Sequence, residues 1–393
     1  MSRREDWDFA HLGIKETQYL THFFHHWTAK FIPQIPARLI QRHARPGDVV
    51  LDPFMGCGTT LVEAARLGHE AWGTDINPLA VRIAQAKTAH IKRPQLARYL
   101  EWLESAAARP AAHRARSAGL FPRSGDWFRE DVGRAIRAIL DRAAELGPAT
   151  RNFVEIGLSD LLKGMSNARM DRTIPQLPSS PSYEDKKHYY REVDNRTREI
   201  NPFARLLNQL RRMDNALAEF HAQATGHAEP ILQDARDLAS LNRQAQLAVT
   251  SPPYWSAQNY QKMHWLSFQV LGLAEPGSAE IGRRSQHYLN DMEAVIVQLS
   301  KVLRGHFCLV IGESKAGTHE QVRDLCVGHG MELVDTFTRR LINQAFFAKA
   351  VHREWVYVFT VGARPHALGS RARTEECRRM RPEKWRKKPK TGR

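Results

Sequence analysis

Two short segments concentrate the residue types that could do chemistry. The first is Thr250-Ser-Pro-Pro-Tyr254, which follows the apolar run Gln246-Leu-Ala-Val-Thr250. Two successive prolines lack N–H donors and cannot continue a central ladder. They fix an extended turn at a strand's C-terminal end, where open α/β sheets place their ligands. Such a turn offers the Ser251 oxygen and the Pro252 carbonyl as acceptors. Pro253 stiffens it, and Tyr254 adds an aromatic face. The arrangement suits an exocyclic amino group on a nucleobase. That nitrogen is a poor nucleophile because its lone pair is delocalised into the ring. Two acceptors holding its hydrogens would draw it toward a tetrahedral shape, ready to attack a sulfonium methyl in line. Positioning and electrostatics carry such a reaction without a covalent intermediate. The base would have to leave its stack, and Tyr254 would hold it there.

The second segment is Leu51-Asp-Pro-Phe-Met-Gly-Cys-Gly-Thr-Thr60, a strand end, a glycine turn and the opening of a helix. Gly56 and Gly58 let the backbone pass close to a ligand. The helix N-terminus and the hydroxyls of Thr59 and Thr60 suit a carboxylate or phosphate. No Lys follows the second glycine, so this is not a P-loop. Asp75 lies 23 residues after Asp52, at the end of the next apolar run, where an acid can accept both hydroxyls of a ribose. The ligand therefore has an anionic end and a ribose. A dinucleotide and S-adenosylmethionine both satisfy this.

The elements that must position these segments alternate. Asp48–Asp52 and Glu70–Asp75 read as strands, each followed by a helical pattern, Thr60–Leu67 and Pro78–Lys87. Later, Gln246–Thr250, His306–Ile311, Met331–Asp335 and Trp355–Thr360 read as strands and Met292–Leu303 as a helix. The pattern predicts an α/β fold with a mostly parallel sheet covered on both faces. Between them the chain is polar, helical and basic, with breaks such as Gln176-Leu-Pro-Ser-Ser-Pro-Ser-Tyr183. The expected organisation is a first catalytic segment over 1–90, a helical insertion over 91–228, a second catalytic segment over 229–362 and a basic tail over 363–393.

Of 393 residues, 58 are Lys or Arg and 42 are Asp or Glu, a net charge of +16. From Arg364 to Arg393 there are 12 basic and 3 acidic residues, so more than half the excess sits in the tail. A polyanion, nucleic acid first, is the expected partner. The 42% hydrophobic share excludes wholesale disorder. No apolar run reaches membrane-span length, and the N-terminus lacks an apolar signal core. Four scattered cysteines form no disulfide framework. A cytoplasmic location is expected.

Taken together, the Asp-Pro-Phe-x-Gly-x-Gly-Thr-Thr and Ser-Pro-Pro-Tyr segments resemble the cytosine-N4 amino DNA methyltransferases over roughly Leu20–Lys87 and Glu229–Gly362. The resemblance implies a class I methyltransferase-like, doubly wound seven-stranded sheet with one antiparallel strand, and S-adenosylmethionine as cofactor. It implies that Asp52, Phe54, Gly56, Gly58, Thr59 and Thr60 surround the methionine moiety and that Asp75 with Asn77 meets the ribose. Asp234 resembles the acid that meets the adenine amino group. Thr28-Ala-Lys-Phe-Ile-Pro33, with Lys30, resembles the segment beside the methionine end, and Gln258–Tyr260 with His264–Leu266 resembles the family's continuation after the catalytic motif. Within the family the Ser form of the motif goes with cytosine and the Asp or Asn form with adenine N6. The implied activity is N4 methylation of a flipped-out cytosine in a specific double-stranded DNA sequence, within a restriction-modification system whose cognate endonuclease would be a partner. Adenine-N6 methylation, RNA amino methylation and a non-catalytic nucleic-acid-binding protein with a vestigial pocket are the alternatives. The insertion is the expected site of target recognition, with Arg169, Arg172, Lys186 and Lys187 as candidate phosphate contacts.

Two other chemistries are set aside. His22, His25 and His26 cluster without a Cys, Asp or Glu at familiar metal-ligand spacing, so no metal is expected. A part in shaping the cofactor pocket is expected of them instead. Cytosine C5 methylation needs a thiolate, in its own family within a Pro-Cys dipeptide, and no cysteine here follows a proline.

Overall fold

The computed structural model describes residues 7–27, 30, 32–168, 174–177, 199–253, 260–277, 281, 287–314, 316–340 and 353–362. Seven strands form one sheet: β1 (Val50–Asp52), β2 (Glu70–Asp75), β3 (His227–Leu232), β4 (Ala245–Thr250), β5 (Leu303–Gly312), β6 (Glu332–Arg340) and β7 (Arg353–Val361). Their order is β3-β2-β1-β4-β5-β7-β6. All neighbouring pairs are parallel except those made by β7, which runs antiparallel to both β5 and β6. The doubly wound sheet with one antiparallel strand is the architecture the sequence resemblance implied.

Each central strand is buried on both faces, so its apolar residues alternate between two layers. Val50, Leu247, Val249, Cys308 and Val310 join a core with Ile35, Leu39 and Ile40 of α1 (Gln34–His43), Leu61 and Ala64 of α2 (Thr59–Arg66), and Val81 and Ala84 of α3 (Pro78–Lys87). Leu51, Ala248, Phe307, Leu309 and Ile311 face the opposite layer, against helices spanning Tyr288–Val302 and Thr318–Gly328. The α3 start combines two local signals. Asn77 Oδ1 accepts from the Leu79 and Ala80 amides, and Pro78 occupies the first turn.

The long segment between α3 and β3 folds into α4 (Arg93–Ala108), α5 (Glu130–Ala143), α6 (Pro148–Met165) and α7 (Pro202–Gln223), with one-turn helices between α4 and α5. It is helical, as its pattern predicts, but it is not merely a polar appendage. Leu96, Ile136, Ile139, Phe153, Phe203 and Leu210 are buried in one core that also includes Val62 of α2 and Leu79 and Ile83 of α3. Gly157 lets α6 and α7 approach closely, since a Cβ there would lie 2.9 Å from Leu210 Cδ2 and 3.1 Å from Met213 Sδ. Arg82 of α3 donates to Asn152 Oδ1 of α6 at 2.7 Å and pairs with Glu155. The sheet's helical layer is thus itself covered by the inserted helices. β3 begins at His227, just inside the expected end of the insertion.

Candidate cofactor and catalytic site

Chain direction across the sheet reverses between β1 and β4, which pair in parallel through Val50–Leu247 and Leu51–Ala248. A crevice opens at such a switch point, beyond the strands' carboxyl ends. β1 delivers the glycine turn to it and β4 delivers the proline corner. Two segments some 190 residues apart in the chain therefore meet because their strands are neighbours.

Asp52, the last residue of β1, joins them. Its Oδ1 accepts from Thr250 Oγ1 at 2.5 Å and from the Phe54 amide at 3.1 Å. Its Oδ2 accepts from Thr60 Oγ1 at 2.6 Å. Thr60 Oγ1 also lies 3.4 Å from the Val249 carbonyl. The Asp52 residue is 1% exposed, and burial pushes its carboxyl up to about 6 against those three donors. Thr59 and Thr60 are buried too, with Thr59 Oγ1 3.8 Å from Cys57 Sγ. The three residues named from sequence as cofactor contacts thus have side chains inside the protein.

The turn between them is held in left-handed backbone, with Gly56 at φ 49° and Gly58 at φ 78°. A Cβ on Gly58 would sit 2.7 Å from Ala84 Cβ of α3, and one on Gly56 would sit 3.3 Å from Trp27 Nε1. No side chain caps α2 at Gly58, so its first-turn N–H groups suit an anionic ligand group. Asp75, the last residue of β2, braces the turn from the other side. Its Oδ2 accepts from the Gly56 amide at 3.0 Å and its Oδ1 from the Asn77 amide at 2.8 Å. Burial, opposed by those bonds and reinforced by Asp52, pushes its carboxyl up to about 6. Each oxygen retains acceptor capacity for a hydroxyl.

The remaining sequence-named residues divide. Phe54 is half-buried against the layer of the Tyr288–Val302 helix. Asp234 follows β3 and both its oxygens face Arg236, with Arg236 Nη2 at 2.6 Å from Oδ2. Arg236 also reaches Asp291 at 2.8 Å. Burial opposes ionisation of Asp234, but the Arg236 hydrogen bonds and charge outweigh it and hold the carboxyl below its ordinary range. Asn77 is 4% exposed and its carbonyl oxygen serves the α3 cap described above. Lys30 donates to the His22 carbonyl at 2.7 Å, and burial, with the charge of Lys87, lowers its ammonium to about 8. Ser251 and Pro253 are half-buried and Pro252 is buried, directly after β4. Tyr254 and Gln258 lie outside the described residues, as do Thr28, Arg169, Arg172, Lys186, Lys187 and the tail from 363.

The histidine cluster resolves into separate partnerships. His22 Nε2 lies 2.8 Å from Glu63 Oε1 of α2, and burial lowers His22 to about 4, so the neutral imidazole donates. His25 Nε2 meets Ser159 Oγ of α6 at 3.0 Å, and Ser159 Oγ meets Ser267 Oγ at 2.8 Å. Among the described residues no group of three or more His, Cys, Asp or Glu could hold a metal ion. Trp27 stacks on His264 at 4.7 Å between centroids and 5° between planes. That stack links the glycine turn to the stretch after the proline corner. Sequence reading had singled out neither Trp27 nor Thr250 as a site residue. Their signal was adjacency only: Thr250 precedes the motif and Trp27 precedes the Thr28–Pro33 segment.

S-adenosylmethionine is the cofactor the sequence resemblance implies, and the residues fit it. The turn has no room for a Cβ at Gly58, uncapped N–H groups stand at α2, and Asp75 ends the neighbouring strand. No described helix is long and apolar enough to cross a membrane.

Comparison with known proteins finds the following similarities. The N6/N4 DNA methylase family profile matches residues 3–86. Type II methyltransferase M.MjaII of Methanocaldococcus jannaschii is 43% identical over 84 residues, 21% of this chain and 16% of that protein. Type II methyltransferase M.MvaI of Kocuria varians is 28% identical over 279 residues, 65% of this chain and 59% of that protein. The match thus spans less than two thirds of either relative's own length. Among solved structures, TrmN from Thermus thermophilus aligns over 84% of this chain and 49% of its own, at 12% identity and a TM-score of 0.33. Over its first 86 residues, which carry the glycine turn, the chain is thus similar to the N6/N4 DNA methylases.

Proposed function

We propose that this protein transfers a methyl group from S-adenosylmethionine to the N4 amino group of a flipped-out cytosine in a specific double-stranded DNA sequence. The observation that carries the reading is the Thr250-Ser-Pro-Pro corner at the end of β4, set beside the glycine turn at the end of β1 and joined to it through Asp52. The cofactor, when bound, supplies an electrophilic methyl. Ser251 and the Pro252 carbonyl hold the two amino hydrogens, and the prolines keep those acceptors from relaxing. Tyr254 stacks on the extruded base. Asp75 accepts the ribose hydroxyls, and the first turn of α2 meets the methionine carboxylate. The choice of cytosine follows from the Ser form of the motif. A type II restriction-modification system, with a cognate endonuclease, is the proposed setting. Target recognition is assigned to the helical insertion, and sequence-independent phosphate contact to the basic tail.

The test is transfer of tritiated methyl from S-adenosylmethionine to unmethylated DNA, followed by mass spectrometry of the digested nucleosides. N4-methyl-2′-deoxycytidine in the product is the expected result. N6-methyl-2′-deoxyadenosine would move the assignment to adenine, and activity on RNA alone would move it to an RNA substrate. Ser251→Ala and Tyr254→Ala should each lower the rate at least ~100-fold, in line with loss of a preorganised acceptor or stacking surface, while still binding cofactor. Full activity in both variants would remove the site assignment.

A further inference from the structure

Asp52 stands at the site where the resemblance expects a cofactor contact, yet its carboxylate is enclosed. The residue is 1% exposed and takes three hydrogen bonds, from Thr60 Oγ1 at 2.6 Å, Thr250 Oγ1 at 2.5 Å and the Phe54 amide at 3.1 Å. A carboxylate offers about four acceptor positions, so most of its capacity is filled from within the protein. The donors come from three different pieces. Thr60 is in the first turn of the helix that starts the glycine turn's anion site. Phe54 is in the turn itself. Thr250 is the residue immediately before the catalytic Ser251.

Backbone pairing between β1 and β4 ends below this level, at Leu51–Ala248. Above that pairing, Asp52 with Thr250 and Thr60 with the Val249 carbonyl join the turn to the corner. A methyl transfer in line depends on the separation of electrophile and nucleophile, and misplacement by about 1 Å costs on the order of a hundredfold in rate. A short, buried, charge-assisted link is suited to setting that separation.

We propose that Asp52 is a positioning residue rather than a cofactor ligand: with Thr60 and Thr250 it forms a strut that fixes the glycine turn against the catalytic corner, so that binding at the turn orders the corner. The inference rests on the methyltransferase reading of the two segments. It predicts that a residue outside the glycine turn, Thr250, behaves as Asp52 does.

The decisive measurement is hydrogen exchange of the full chain with and without S-adenosylhomocysteine, which needs no DNA substrate. In the wild type the ligand should slow exchange both at residues 54–60 and at the Thr250 and Ser251 amides. In Thr250→Val and in Asp52→Asn it should still slow exchange at 54–60 but lose its effect at 250–251, and Thr250→Ser should restore it. Calorimetric affinity for S-adenosylhomocysteine should change by less than about threefold in Thr250→Val. Single-turnover methyl transfer should fall at least tenfold in each single variant and little further in the double variant, because both remove one link. Protection at 250–251 that survives in Thr250→Val would overturn the proposal. So would an Asp52→Asn variant that loses more than tenfold in affinity while Thr250→Val loses none, since Asp52 would then be a ligand. Should wild-type protein transfer no methyl to any nucleic acid, the functional reading fails, and the exchange experiment still decides the strut.

Discussion

At the scale of single residues, the two acids of the site have the same tendency for the same reason. Burial raises both Asp52 and Asp75 to about 6. In the role proposed for it, Asp75 accepts two ribose hydroxyls and must be ionised, and it takes up a proton as pH falls through about 6. Affinity for S-adenosylhomocysteine should therefore drop below about pH 6, by up to about tenfold per unit. Calorimetry across pH 5–8 measures this. Asp75→Asn should bind weakly at every pH with the slope removed, which separates it from Asp52. The buried imidazoles bear on stability instead. His22 is lowered to about 4, His25 to about 3, and His264 well below 6.5, each mainly by burial. Below pH 6.5 the unfolded chain protonates all three and the native state does not, so acid removes stability. Asp52 and Asp75 act in the opposite sense, since the native state holds their protons up to about 6 and the unfolded chain releases them near 3.8. Between pH 7 and pH 5 the imidazoles should lower stability, with the two acids offsetting part of the loss. Urea denaturation at the two values should show it.

At the scale of elements, the site depends on how closely α2 and α3 approach. Gly58 has φ 78° and would place a Cβ 2.7 Å from Ala84 Cβ. Alanine there meets both a left-handed backbone and a neighbouring helix that cannot yield as a flexible side chain would. Gly58→Ala should destabilise the fold by about 2 kcal/mol and weaken S-adenosylhomocysteine binding more than tenfold. Gly125→Ala is the control, because a Cβ there would meet nothing within 4 Å. Equal behaviour of the two variants in thermal melts and calorimetry would contradict this account of the turn. The ends of β1, β2 and β4 were legible in sequence because each combines an apolar run with a glycine or proline signal. β3 was not. His227-Ala-Glu-Pro-Ile-Leu232 carries a Pro, a Glu and a His, which argue against a central strand. As an edge strand it tolerates all three.

At the scale of the whole molecule, the inserted helices and the catalytic helices share one apolar core. Phe203 and Leu210 of α7 are fully buried in the cluster that contains Val62 and Ile83. Phe203→Ala or Leu210→Ala should each cost about 3–5 kcal/mol, and calorimetric unfolding should show one transition rather than two. Separate melting of the insertion would mean that the shared core does not couple them. Charge belongs to this scale too. With 12 of the chain's 58 basic residues between Arg364 and Arg393, the tail is expected to contact phosphates without sequence preference. Removing it should flatten the salt dependence of binding to unrelated DNA in titrations at several ionic strengths. An unchanged slope would mean that the tail makes no such contacts.

The sequence by itself determined the chemistry on offer, because that chemistry is written in local backbone constraints. Gly56 and Gly58 permit a left-handed turn, Pro252 and Pro253 forbid a continued strand, and Asn77 with Pro78 starts a helix; each acts within a few residues. Only the tertiary structure decided which of those residues meet. Thr250 reads as the unremarked end of a strand until β4 pairs with β1 and its hydroxyl reaches Asp52. Asp52, Thr60 and Asn77 read as open ligand contacts until burial and hydrogen bonding commit their side chains to the protein. Long-range pairing and desolvation depend on which surfaces are brought together, and spacing along the chain does not contain that information.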